Sequence, residues 1–314
     1  MIHHASTLMQ PRNIAAAFMI SLTLSISTGA TATAADDWPR IREQKTVVVN
    51  GKPERWRLEW ERKPTPACGA DEQDVSLTCP CSGFAFGEQG PLALVRVRSD
   101  GKTERLELGP LFGMDGDFGA GNREAVLQRW APIETGGPES DFQHALDDDF
   151  AAKVAKRPDV DVMQFADFDH DGQATEFLLQ VNTLPCGKHQ MVLVGVSKAN
   201  PHLHVFSAAE KPEEPLVLGS WEWEALRQTR GPIAVVDWNC GDHGSEKEWR
   251  VRLSTDSGVI HASKTSDYCA DVKQSPLYPE ILKLNDLYHH GKLSEQEFST
   301  QELKLLEQVM ESPR

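Results

Sequence analysis

The sequence contains no G-x-S-x-G elbow, no H-E-x-x-H pair, no Walker loop and no dinucleotide fingerprint. The local signatures of the α/β-hydrolases, the zinc proteases, the P-loop nucleotide enzymes and the Rossmann enzymes are therefore missing. Basic residues are scarce: 32 Lys and Arg stand against 47 Asp and Glu, for a formal net charge of -15. Nucleic-acid phosphates reward clustered Lys and Arg, so this balance argues against a nucleic-acid partner. No cysteine precedes Cys68, which excludes the lipoprotein route, where a cysteine at the cleavage point carries the lipid. Beyond residue 35 no apolar run approaches the roughly 20 residues that a membrane helix needs.

What is present begins with an export signal. Ile14–Ile26 is an uncharged apolar run preceded by Arg12 and followed by small residues ending in Ala32-Thr33-Ala34. That order predicts a signal peptide over residues 1–34, cleaved before Ala35. The mature chain is then expected in the periplasm or secreted, without a membrane span and without a lipid anchor.

Short strands dominate the pattern from there. Thr46–Val49 and Arg57–Trp60 flank Asn50-Gly51, a hairpin signal. Leu92–Val97 and Thr103–Leu108 flank Ser99-Asp100-Gly101, and Arg96 and Arg98 alternate with Val95 and Val97 as in a strand with one wet face. Further strands are predicted at Phe177–Val181, Met191–Val196, His202–Phe206, Ile233–Val236, Trp249–Leu253 and Val259–His261, and a short helix over Phe142–Val154. The fold class expected is mainly β: an antiparallel sandwich, barrel or propeller-like domain over residues 35–275, followed by a helical hairpin over residues 276–314. Trp221 and Trp223 occupy alternate positions and would share one strand face, where an exposed pair could stack on a ligand.

Six cysteines remain in the mature chain: Cys68, Cys79, Cys81, Cys186, Cys240 and Cys269. An even number in an exported chain reads as disulfides, and sequence alone does not choose among the connectivities. Cys79 and Cys81 flank Pro80 and are poor partners for one another, so each is expected to pair elsewhere, one of them with Cys68. Cys186-Gly-Lys-His189 and Cys240-Gly-Asp-His243 repeat one pattern, and Cys186–Cys240 is the preferred second bridge. Zinc held by the two Cys-x-x-His pairs is the lesser alternative in an oxidising compartment. Such a bridge would bring His189, His243 and Asp242 together, a cluster able to do acid–base work in a hydrolase.

Asp167-Phe-Asp169-His-Asp171-Gly172 is the most suggestive chemical motif. Carboxylates at alternate positions around a glycine turn can converge on one hard cation, which prefers six to eight oxygens. The motif resembles the D-x-D-x-D-G loops of EF-hands and of FG-GAP-type β-repeats. The resemblance implies calcium, with side-chain oxygens from Asp167, Asp169 and Asp171 and a backbone carbonyl from Gln173. An EF-hand's closing glutamate would fall at Leu178 and the FG-GAP closing aspartate at Thr175, which leaves Thr175 or Glu176 to complete the set. A strand predicted after the loop favours the β-repeat comparison. The plainer reading is a tight acidic turn whose side chains bond nearby amides.

The C-terminus carries the sharpest local pattern. Pro279 suits a helix's first turn, and Ile281, Leu284, Leu287 and Tyr288 form an apolar stripe that Gly291 ends. Ser294 and Glu297 form a capping box, with Leu293 and Phe298 as its hydrophobic staple; Leu305, Leu306 and Val309 continue the second helix. The segment resembles the SHOCT family, a short C-terminal domain of prokaryotic proteins, at Gly291, Leu293, Ser294, Glu295, Glu297, Phe298, Lys304, Leu305 and Leu306. Gln301 and Glu302 replace the family's usual basic pair. The resemblance implies a protein partner or self-association through residues 276–314. The function expected is thus a non-enzymatic exported protein with a calcium loop and an interaction hairpin. The alternatives are a hydrolase using His189 or His243 with Asp242, and an inhibitor or ligand-binding module presenting Trp221 and Trp223.

Overall fold

Asn50 and Gly51 both take positive φ, 50° and 75°, the backbone that a two-residue hairpin turn demands and that Asn and Gly tolerate best. They join β1 (Arg40–Val49) to β2 (Lys52–Trp60), with Val49 opposite Lys52. β5 (Leu92–Val97) and β6 (Thr103–Glu107) complete an antiparallel sheet of order β1-β2-β5-β6. The computed structural model describes residues 37–67, 87–112, 124–128, 149, 152–153, 156–184 and 188–311. The signal peptide, Cys68, Cys79, Cys81 and Cys186, and nearly all of the Phe142–Val154 helix lie outside the described residues.

The wet face expected for Arg96 is not found. Arg96 is 2% exposed; its Nε donates to Glu54 at 2.6 Å, and its Nη1 to Glu104 at 3.0 Å and to the Pro201 carbonyl at 2.6 Å. A segment some hundred residues away in sequence covers this end of the sheet, which a local alternation of charge and valine does not reveal. The charge is tolerated because two carboxylates, Glu54 and Glu104, and a backbone carbonyl pair with it.

β8 (Glu176–Leu184) and β9 (Lys188–Gly195) form a second antiparallel sheet with β10 (His204–Val205) and β13 (Val217–Gly219), all three pairing with β9. Its apolar runs are nearly continuous because both faces are covered. Val192 and Val194 enter one core with Trp56, Leu58, Leu94 and Phe177. Leu193, between them, enters a second core with Phe168, Trp223, Leu226, Val251 and Leu253. β9 is therefore the layer between the two cores.

The third sheet has five strands. β14 (Ile233–Trp238), β15 (Lys247–Asp256) and β16 (Val259–Tyr268) form an antiparallel meander. The short β11 (Ser207–Ala208) joins β16 in parallel and carries β12 (Lys211–Pro215) at the edge. A small sheet unites β3 (Thr65–Ala67), β4 (Gly87–Gly90) and β7 (Ala125–Leu127). The chain is thus mainly β, in several antiparallel sheets with a C-terminal helix pair.

Trp221 and Trp223 lie on a helix, α1 (Ser220–Gln228), not on a strand. Trp223 and Leu226, three apart, enter the second core together, which is helical spacing. Glu, Ala, Leu, Arg and Gln fill the segment with good helix formers, so propensity outweighs the two-residue spacing of the rings.

α2 (Ala270–Gln274) follows β16 and leads into the hairpin of α3 (Tyr278–His289) and α4 (Glu295–Glu311). The capping box forms: the Ser294 amide donates to Glu297 Oε2 at 2.9 Å, and the Glu297 amide to Ser294 Oγ at 3.3 Å. Gly291, with φ 67°, ends the first helix. Ile281 and Leu306 form a small core with Val272 and Cys269. From Trp38 to Arg314 the chain is one compact unit, and no helix among the described residues is long and apolar enough to cross a membrane.

Candidate metal centre and the sites around it

The acidic loop is closed by a bridge between Ala166 and Glu176, whose amides and carbonyls bond reciprocally at 2.9 and 3.4 Å. Nine residues are thereby folded back over the start of β8. His170 and Gly172 turn the chain at φ 56° and 90°; glycine takes that conformation without strain. Gly195 on β9 lets the loop's last turn approach: an added Cβ would collide with the Thr175 carbonyl. The Asn50 amide donates to Gln173 Oε1 at 2.6 Å, which ties the loop to the β1–β2 turn.

Asp167, Asp169 and Glu176 come together, with one oxygen of each within 4.8 Å of the others. Asp169 and Glu176 are completely buried. Asp169 Oδ1 accepts the Asp171 amide at 2.9 Å and Asp167 Oδ2 the Gly172 amide at 3.0 Å. Their other oxygens, Asp169 Oδ2 and Asp167 Oδ1, are buried without a hydrogen-bond partner. Glu176 is held at both oxygens: Oε2 accepts the Phe168 amide at 3.0 Å, and the Thr175 hydroxyl lies 2.6 Å from Oε1.

Buried like charges disfavour their ionised forms. Burial, reinforced by the charges of Asp171 and Asp167, pushes Asp169 up to about 7. Burial, with Asp169 and Asp171 adding to it, pushes Glu176 up to about 9. Among the described residues no salt bridge reaches any of the three. An all-oxygen set with two buried acceptors that no donor reaches fits a hard cation, which would supply positive charge that Lys198, whose Nζ bonds the Asp171 carbonyl instead, does not bring to the triad. This buried triad could hold a metal ion.

The other residues implied by the calcium-loop resemblance are occupied differently. Asp171 is outside the triad; its Oδ1 accepts the Gln173 amide at 2.8 Å and its Oδ2 the Lys198 amide at 2.6 Å. Thr175 contributes through Glu176. Glu176 is the member of the triad that the D-x-D-x-D-G pattern alone does not fix, because strand pairing with Ala166 folds it back onto the loop.

The disulfide at Cys240 differs from expectation. Cys240 bonds to Cys269, with Cα atoms 5.6 Å apart, so the Cys186–Cys240 bridge is excluded. Cys240 follows β14 and Cys269 follows β16, and Trp238↔Trp249 and Lys247↔Tyr268 are paired along β15; both cysteines leave the sheet at the same end. The sulfur of Cys240 is thereby no thiolate for zinc. Asp242 Oδ2 accepts Lys188 Nζ at 2.7 Å, no hydrogen bond joins His189 to Asp242 among the described residues, and the side chain of His243 lies outside them.

Nor do the tryptophans form an exposed pair. Trp223 is fully buried and donates Nε1 to the Met191 carbonyl at 3.0 Å. Trp221 is half-buried, donates to the Val236 carbonyl at 3.2 Å and lines a cleft with Glu222. The strand reading of this segment does not single out Glu222; a helical reading of Trp221–Trp223 places it at the helix start, over Gly219.

The C-terminal hairpin packs on its own β domain. Glu302 Oε1 accepts Lys247 Nζ at 2.8 Å and also the Tyr268 hydroxyl. Leu282 and Leu303 stay exposed. No protein-family model matches the chain, and neither does any curated protein or solved structure.

Proposed function

We propose that this is an exported, non-enzymatic protein that binds one calcium ion at Asp167, Asp169 and Glu176, the ion fixing the loop against β8 and β9. The carrying observation is Asp169, completely buried, with Oδ2 unpartnered among three carboxylates. Calcium is favoured over softer ions because every donor is an oxygen. Export is supported by the N-terminal apolar run before Ala32-Thr33-Ala34 and by the Cys240–Cys269 bond, since disulfides persist in oxidising compartments. The SHOCT-like hairpin is the segment we assign to partner contact or self-association; its exposed Leu282 and Leu303 are compatible with that role.

Thermal unfolding across a calcium titration tests the reading. With a dissociation constant of about 10⁻⁴–10⁻³ M, as in extracellular modules, tenfold excess calcium should raise the melting temperature by roughly 3–6 °C. Asp169→Asn should abolish the rise without lowering the stability of the calcium-free protein, because it relieves like-charge crowding. A melting temperature that is the same in chelator and in millimolar calcium would remove the assignment.

A further inference from the structure

We propose that the cleft between α1 and the β14–β15–β16 sheet binds a small organic cation, an amine or guanidine on an apolar body, with Glu222 as its counter-charge. The cleft encloses about 560 Å³, within the ~300–1,000 Å³ of small-molecule sites. It is separate from the carboxylate triad of the acidic loop.

Three tryptophans line it: Trp221 from α1, Trp238 at the end of β14 and Trp249 on β15. Glu222 lines it, completely buried; neither carboxylate oxygen makes a hydrogen bond of ordinary geometry, and only the backbone amides of Gly219 and of Glu222 itself lean toward the group. The position is built for that side chain. Gly219 lies beneath it, and an added Cβ there would collide with Glu222 Oε2 and press on the Trp221 ring at 2.9 Å.

The charges around the cleft decide what is missing. Lys264 Nζ pairs with Asp237 at 2.5 Å, Lys188 with Asp242 at 2.7 Å and Lys211 with Glu214 at 3.1 Å. Each lining lysine has its acid, and Glu222 is the acid left over. A buried carboxylate without a partner calls for a cation or a proton. The rings already accept ammonium groups: Lys188 Nζ lies 3.6 Å from the Trp238 ring centre and Lys264 Nζ 5.3 Å from that of Trp249. A ligand's ammonium can make the same contact while pairing with Glu222. The net charge of -15 further concentrates cations at the surface. Burial, to which the Asp237 charge adds, raises Glu222 to about 7, so near neutral pH the acid is partly protonated and a bound cation displaces the proton.

Tryptophan fluorescence of the full mature chain, titrated with 2-phenylethylamine and its neutral counterpart 2-phenylethanol, tests this. The amine should quench saturably and bind at least about tenfold more tightly than the alcohol; Glu222→Gln should erase that preference, since a desolvated charge pair dominates such discrimination. Equal binding of the two probes, quenching by neither, or an undiminished preference in the variant would overturn the proposal. If the variant fails to melt cooperatively, the pH profile of the unaltered protein decides. Amine affinity should climb from about pH 6 to about pH 8 as the carboxyl gives up its proton, and a flat profile would sink the idea.

Discussion

Cys240 and Cys269 are joined across the end of one sheet, each just beyond a strand that flanks or pairs with β15. The bond closes a loop of 29 residues in sequence containing all of β15 and β16, and it anchors the start of α2, where Cys269 is the cap.

Removing it should be costly. Cys240→Ser with Cys269→Ser is expected to lower unfolding stability by about 2–4 kcal/mol, read from denaturant unfolding with the slope fitted separately, since the unbridged unfolded chain exposes more surface. Peptide mapping under non-reducing conditions should recover the Cys240 and Cys269 peptides linked. Recovery of Cys240 linked to Cys186 instead would contradict the pairing.

Glu302 ties the C-terminal hairpin to the third sheet, accepting from Lys247 and Tyr268. Glu302→Lys would set two ammonium groups against one another in a half-buried contact. The hairpin should then detach, and limited proteolysis should cut between α2 and α4 while the β domain resists. Unchanged protection would show that the small core of Ile281 and Leu306 suffices without it.

Glu222 makes stability depend on pH. A free glutamate titrates near 4.5 and the folded group near 7, so the native state binds more protons between those values. Its contribution is intact below about pH 4.5 and lost as pH rises through about 7, a cost on the order of 3 kcal/mol. The groups facing it are Asp237 and Lys264, with His189, whose imidazole burial pushes below its ordinary value, lining the same cleft. Melting curves of Glu222→Gln against the unaltered chain should therefore separate progressively over that window. Parallel curves would refute the shift.

Gly195 is where β9 meets the loop. An added Cβ would lie 2.8 Å from Glu176 Cα as well as against the Thr175 carbonyl, so backbone must move. Gly195→Ala should cost about 1–3 kcal/mol and weaken the calcium response more than it weakens the rest of the domain. Equal calcium shifts in variant and parent would argue that the loop does not need this close approach.

Much of the architecture is legible in local pattern. Asn50-Gly51, the continuous apolar runs of β8 and β9, and the Ser294–Glu297 box each carry their meaning within a few residues. What escapes is set by distant partners. Arg96 reads as a surface residue until Glu54 and Pro201 close over it, and Cys240 has no local reason to prefer Cys269 until the β14–β15–β16 meander aligns them. In the acidic loop the three aspartates are conspicuous, yet the triad takes two of them and adds Glu176, because strand pairing decides which carboxylates converge. Glu222 is silent in sequence; only the cleft makes an ordinary helix glutamate conspicuous.

The two-sided position of β9 has a consequence for how the protein can be divided. Val192 and Val194 belong to one interior and Leu193 to the other, so neither interior survives without a strand that the other also needs. No cut upstream or downstream of β9 yields two self-sufficient halves, and a truncated chain ending inside it would leave apolar surface open on whichever side was kept. The molecule should accordingly lose both interiors in a single step.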